Sequence, residues 1–295
     1  MGSTSPGCVV VGVDRSPAAT EALDWAAQEA ALRGARLCIG HSSSMEAYDL
    51  PDGDRGILAT ESYKAAKQCL DRAAARVREQ HPGLDLVTEL LREWPLQGLL
   101  QLAGAAQLIV VGSRGPNTLS SMLLGSVSQG LVAHSDKPVV VVRAGVTGAA
   151  SGGAAATRPV VVGVASDEAA ASVDFAFAEA QLRGAPLLAV RAWMTPQAIP
   201  GHMVATPGEQ AQRTRDATAQ LESALAAGRA AYPGVRVDTS VALAEPEALL
   251  VAASWDSCLV VVASRRRRSR FTLPVGRVTH RVLHHAHAPV AVVPV

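Results

Sequence analysis

The chain reads as an α/β protein of two tandem doubly wound domains, and three observations carry that reading. Short valine-rich runs alternate with longer segments of helical period, the pattern of a parallel sheet covered by helices. The sequence repeats itself once over nearly its whole length. Of its 295 residues 48% are hydrophobic but only 3% aromatic. The core must therefore be built from alanine, valine and leucine, which suits buried parallel strands under Ala-rich helices.

The repeat is direct. CVVVGVDRSPAATEALDWAAQEAALRGA, starting at Cys8, returns from Val160 as VVVGVASDEAAASVDFAFAEAQLRGA. Gly12 falls on Gly163, Arg33-Gly34-Ala35 on Arg183-Gly184-Ala185, Pro82-Gly83 on Pro233-Gly234, and Pro95 on Pro246. The offset is 151, slipping to 150 for one stretch. A period this long means two similar domains and not a solenoid. We place them at residues 1–144 and 158–295, joined by a Gly-rich linker over 145–157 (GVTGAASGGAAAT).

Within the first domain, residues 8–13 form a short β-branched run and predict a buried strand. Ser16 and Pro17 supply the N-cap and N1 residues of a helix. Helical spacing of Ala22, Leu23, Trp25, Ala26 and Ala30 carries it to a stop at Gly34. Strands are then predicted at 36–41, 84–91, 107–112 and 138–143, and helices at 58–80, from Pro95 to 105, and after Gly125.

The chemistry is concentrated in VVGSRGPNTLSSMLLGSVS, residues 110–128. A strand empties into a loop with Gly112, Ser113, Arg114 and Gly115, and nine residues later Gly125-Ser126 opens a helix. Glycines let backbone N–H groups approach an anion without a Cβ in the way. A helix N-terminus offers unpaired donors and the positive dipole end, so phosphate is the natural guest. In a doubly wound sheet, ligands sit beyond the carboxyl ends of the strands where the strand order reverses. If strand one lies beside strand four, Asp14 meets this loop and can accept from an adenine amine or a ribose hydroxyl. The plainer reading makes Asp14 a helix-start turn residue.

VVGVD with Ser16-Pro17, the Arg33-Gly34-Ala35 turn, VVGSRG, LLGSVS and the closing PVVVVR resemble the universal stress protein family in its tandem form. The resemblance implies five-stranded parallel sheets of order 3-2-1-4-5 with helices on both faces. It also implies an ATP site in the first domain, with Gly112, Gly115, Gly125 and Ser126 on the phosphates and Mg²⁺ accompanying them. Val127 and Ser128 follow as backbone donors. Gly12, Val13, Asp14 and Ser42 would surround the adenosine. It further implies that the edge strands Val139–Val142 and Val290–Val293 pair with each other. Two departures stand out. Glu93-Trp94 precedes Pro95 where many relatives carry glycine and a small polar residue, which alters the exit of strand three. In the second domain, Asp14, Gly112, Gly115 and Ser126 are matched by Ala165, Ala263, Arg266 and Arg277, leaving Gly163 and Gly276. That site reads as degenerate and its domain as mainly structural.

Other features set bounds. The net charge of +1 gives no global pull toward nucleic acid or membrane. Residues 1–147 hold 13 basic and 15 acidic side chains, the remainder 14 and 11, so the second half is about +3. Arg265–Arg268 and Arg270 are a solvated run or a side-chain anion site, and too few aromatics are present to stack nucleic-acid bases. His280 and His284 stand i, i+4, a spacing open to a metal, but without a carboxylate or cysteine nearby in sequence they read as surface or helix-end residues. Cys8, Cys38, Cys69 and Cys258 show no metal spacing and read as reduced, structural thiols. With no leader-like N-terminus and no long apolar run, a cytoplasmic location is expected.

The expected function is a cytoplasmic, nucleotide-responsive stress regulator that binds ATP or another adenine nucleotide and works through an unnamed protein partner, with homodimer formation left open. Neither a Walker-type Gly-Lys-Ser/Thr nor a base aimed at a γ-phosphate stands in the chain, so at most slow ATP hydrolysis is expected. A nucleotide-independent scaffold is the competing reading. An adenylating ligase is disfavoured, because Asp14-Arg15-Ser16-Pro17 stands where its Ser/Gly-rich loop belongs.

Overall fold

A computed structural model describes residues 7–42, 52–113, 124–145, 158–165, 169–194, 206–264 and 275–295. The chain divides into two compact units, Met1–Thr147 and Gly148–Val295.

The first unit runs β1 (Cys8–Gly12), α1 (Pro17–Arg33), β2 (Leu37–Ser42), α2 (Asp52–Gln80), β3 (Leu86–Leu91), α3 (Pro95–Leu102), β4 (Ala106–Gly112), α4 (Ser126–His134) and β5 (Val139–Val142). Its strands are all parallel in the order β3-β2-β1-β4-β5. Connections step one way from β1 to β3 and the other way from β3 to β5. Right-handed crossovers therefore put α1 and α2 on one face and α3 and α4 on the other. The second unit repeats this with β6 (Val160–Gly163), α5 (Ala170–Arg183), β7 (Leu187–Trp193), α6 (Pro207–Ala231), β8 (Val237–Leu243), α7 (Pro246–Ala253), β9 (Leu259–Ser264), α8 (Arg277–His285) and β10 (Val290–Pro294). Its order is β8-β7-β6-β9-β10.

Local sequence explains most boundaries. The Ser16 side chain accepts from the Ala19 amide at 3.1 Å, with Pro17 at N1, a cap contributing about 1 kcal/mol. Gly34 and Gly184 end α1 and α5 with φ of 59° and 61°, where any Cβ would be strained. Helix α2 starts six residues before the predicted start at 58, because Gly53 and Gly56 weaken the helical signal of its first turns. Helix α3 stops at Leu102, and a 3₁₀ turn over Ala103–Ala105 finishes the segment predicted as one helix.

Two features of the core were not legible from periodicity. Glu29 and Glu179, each 1% exposed, lie at matched positions and pair with Arg33 and Arg183 one turn on. Removing either arginine would take an ion-pair partner from a buried carboxylate. The units also exchange size between helices. Ala27 and Val77 in α1 and α2 correspond to Phe177 and Gly228 in α5 and α6, so a large side chain in one helix is met by a missing one in the other. Close packing at fixed backbone spacing demands that compensation.

Candidate functional site

Where the strand order of the first unit reverses, β1 and β4 lie side by side and their following loops diverge. A cavity of about 370 Å³ opens there, within the size range of small-molecule sites. Of the residues expected to form a site, Gly12, Val13, Asp14 and Ser42 line it from the β1 and β2 side. Gly112, Gly125, Ser126, Val127 and Ser128 line it from the β4 and α4 side. Ser113 lies beneath and does not line it: its amide donates to the Val142 carbonyl and its carbonyl accepts from the Gly125 amide. Arg114 and Gly115, and the Arg265–Arg268 and Arg270 run, lie outside the described residues.

One wall is the start of α4. Gly125 is its N-cap and brings no side-chain acceptor, so the amides of Ser126, Val127 and Ser128 have no capping oxygen. The Ser128 hydroxyl donates to the Gly112 carbonyl at 2.7 Å and is thereby committed to the scaffold. Ser126 is exposed at the mouth.

The glycines have different reasons. None of Gly12, Gly112 and Gly125 has positive φ, so space and not backbone freedom selects them. A Cβ on Gly112 would lie 2.7 Å from the Ala18 carbonyl carbon and 2.8 Å from the Ala19 nitrogen. Gly112 thus lets the first turn of α1 pack onto β4, a reason distinct from the anion approach expected of it. A Cβ on Gly12 would meet Leu99 Cδ1 at 2.8 Å, so Leu99 of α3 roofs the end of β1.

The opposite wall is polar at its rim. Asp14 Oδ1 accepts from the Ser16 amide at 2.7 Å, so the turn role is real. Its other oxygen makes no hydrogen bond among the described residues, and the residue still lines the cavity. Both backbone groups of Val13 have partners: its amide donates to the Gly40 carbonyl and its own carbonyl sits 2.7 Å from His41 Nδ1, with a second lone pair left on that oxygen. It supplies a wall of the cavity. The Ser42 hydroxyl donates to the Glu93 carbonyl at 2.6 Å, tying the end of β2 to the exit of β3. Trp94, next along, is exposed and does not line the cavity.

His41, Leu91, Pro95 and Leu99 also line the cavity and were missed by sequence reading. Only the register that sets Gly12 beside Gly40 brings His41 to the rim. Because a carbonyl can only accept, the His41 bond to Val13 places a proton on Nδ1 and leaves Nε2 the acceptor in the neutral ring.

The second unit keeps the geometry and changes the chemistry. A cavity of about 490 Å³ lies at the matching place, lined by Gly163, Ala165, Ala192, Ala263, Gly276 and Arg277 among others. The β6–β7 register sets Gly163 beside Val190, so Arg191 stands for His41 and Ala192 for Ser42. Arg191 donates to the Val164 carbonyl at 3.3 Å, repeating the His41 bond, and also reaches Gln220. Ala263 replaces Gly112, and α5 begins at Ala170.

The sequence profile of the Universal stress protein family matches residues 8–143 and again residues 156–294. The chain belongs to the universal stress protein family. It is 31% identical over 290 residues to a universal stress protein of Mycolicibacterium smegmatis, covering 97% of this chain and 96% of that one. A universal stress protein of Mycobacterium tuberculosis is 32% identical over 304 residues, covering 99% and 97%. The fold is shared with the crystal structure of a universal stress protein from Archaeoglobus fulgidus at 18% identity, with a TM-score of 0.67 over 97% of this chain and 98% of that chain. Among the described residues of this universal stress protein, no helix is long and apolar enough to cross a membrane. No three His, Cys, Asp or Glu side chains among them gather as a metal site.

Proposed function

We propose that this universal stress protein binds one adenine nucleotide, ATP, in the cavity of its first unit, and that binding alters the loop after β4 to change what the surface offers a partner. The observation that carries the reading is the pairing across one cavity of an uncapped helix start with a carboxylate that has an oxygen to spare. The first suits phosphate. The second, with His41 beside it, suits the amine and hydroxyl donors of a nucleoside. Leu91, Val111 and Leu99 give the base apolar cover. Mg²⁺ would be held by the phosphates and water, the usual manner of this ion. With its carboxylate, hydroxyl and close-approach glycine replaced by Ala165, Ala192 and Ala263, the second unit offers no equivalent site.

Calorimetry of the whole chain with ATP, ADP, AMP and adenosine tests this. One site per chain is expected, with affinity falling as phosphates are removed. Gly125→Val should abolish binding by filling the mouth of the helix start. Asp14→Ala should weaken it by ~1–3 kcal/mol, the range for a lost hydrogen bond to a charged group. Two equivalent sites, or affinity unchanged by both substitutions, would overturn the reading.

A further inference from the structure

The second cavity is larger than the first, and its lining has been made apolar at one end only. Toward β6 and β7 it is walled by Val164, Ala165, Val190 and Ala192, where the first unit has Val13, Asp14, Gly40 and Ser42. Among the described residues no hydrogen-bonding side chain lines that end: Arg191, in place of His41, turns to Val164 and Gln220. At the other end the anion-receiving equipment persists. Gly276 caps α8 without a side-chain acceptor, leaving the amides of Arg277, Val278 and Thr279 uncapped beside the cavity. The Thr279 hydroxyl donates to the Ala263 carbonyl at 3.1 Å, reproducing the Ser128 bond and holding the helix start in place.

Arg277 adds a guanidinium at this end. Its Nε lies 3.7 Å from Glu247 Oε1, beyond hydrogen-bond distance, and it makes no hydrogen bond among the described residues. Glu247 is buried, and its Oε2 also has no partner among the described residues. Glu247 thus forms an ion pair with Arg277 without a hydrogen bond to its donors. It also offsets the charge of Arg277, so attraction for an anion rests on aimed N–H groups and the helix dipole more than on net charge.

From this we infer that the second cavity is a binding site for an amphiphilic monocarboxylate, of the class of a medium-chain fatty acid. The carboxylate sits on the α8 amides and Arg277, and the hydrocarbon body lies among Val164, Val190, Ala192 and Leu250. A cavity of about 490 Å³ with an apolar body and one anionic end is complementary to that shape. A nucleotide fits it poorly, because its base and ribose would bury donors against alanine with no side-chain acceptor among the described lining residues of that end.

The site does not depend on the nucleotide reading of the first unit, and the two can be tested separately on the full chain. Decanoate is the probe, with decan-1-ol and decylamine as controls, titrated by calorimetry at low salt. One decanoate per chain is expected, bound at least about tenfold more tightly than either control, the scale of one charge-assisted contact. Arg277→Gln should weaken decanoate about tenfold and leave decan-1-ol unchanged. Ala165→Asp, an exposed position that restores the first unit's carboxylate, should also weaken decanoate. Glu247→Gln should tighten it by lifting the opposing charge. Gly125→Val, in the other unit, should have no effect. The inference is overturned if decanoate shows no saturable binding, if decan-1-ol binds equally well, if Arg277→Gln and Ala165→Asp are both silent, or if Gly125→Val removes the binding.

Discussion

Replacing Gly112 with alanine should destabilise the first unit even when no nucleotide is present. The added Cβ would stand 2.7 Å from the Ala18 carbonyl carbon, 2.8 Å from its oxygen and 2.8 Å from the Ala19 nitrogen. Unstrained carbon contacts lie at about 3.5–4.0 Å, so close to 1 Å must be found. These neighbours are backbone and cannot rotate aside. They also lie in a helix turn pinned by the Ser16 cap and Pro17. Overpacking costs about 1–3 kcal/mol, and the upper half of that range applies where backbone must shift. For a domain of this size, 2–3 kcal/mol corresponds to a fall in Tm of about 4–12 °C. Scanning calorimetry of the full chain without ligand reads this as a shift of one unit's transition. Ala263→Gly in the second unit is the converse. A strand glycine there costs about 0.5–1 kcal/mol. A Gly112→Ala protein melting within about 1 °C of the parent would refute the packing account and return Gly112 to a purely ligand-facing role.

Gly228→Ala should destabilise the second unit despite a helix-propensity gain of about 1 kcal/mol, because its Cβ would fall 2.2 Å from Phe177 Cε2. Phe177→Leu in the same chain should recover part of the loss, and additive melting shifts would show that the two side chains do not compete. Burial, with His284, His285 and Arg281 nearby, holds the His280 imidazole below its usual 6.5. The unfolded chain then takes up this proton first, so the contribution of His280 is present above about pH 6.5 and is lost as the pH falls. His280→Gln should flatten Tm against pH between about pH 5 and 7, and an unchanged slope would place the acid sensitivity elsewhere. Burial and the neighbouring Cys8 thiol push the Cys38 thiol up to about 12. Disulfide reagents at pH 8 should therefore modify Cys8 and Cys258 well before Cys38 in the folded chain, and equal labelling rates would contradict that ordering.

The repeat, the alternation of strands and helices, and the caps at Ser16, Gly34 and Gly184 could be read from the sequence because each is a local signal. A hydroxyl before proline or a glycine after a helical run acts on its own few residues. The loop glycines and Asp14 were also visible as candidates, since a nucleotide site draws on particular residue types at particular spacings. The replacement of Asp14 and Gly112 by Ala165 and Ala263 likewise showed, without coordinates, that the two units had diverged. Tertiary structure decided which of those residues share a cavity and what each does there. Strand register brought His41 and Ser42 to the rim beside Asp14, and crossover handedness laid Leu99 over Gly12. The packing of α1 on β4 gave Gly112 a reason that sequence spacing cannot express. The exchange of Ala27 and Val77 for Phe177 and Gly228, and the buried Glu29 and Glu179, also lay beyond local reading. Such features depend on distances between residues far apart in the chain, and only the folded backbone fixes those distances.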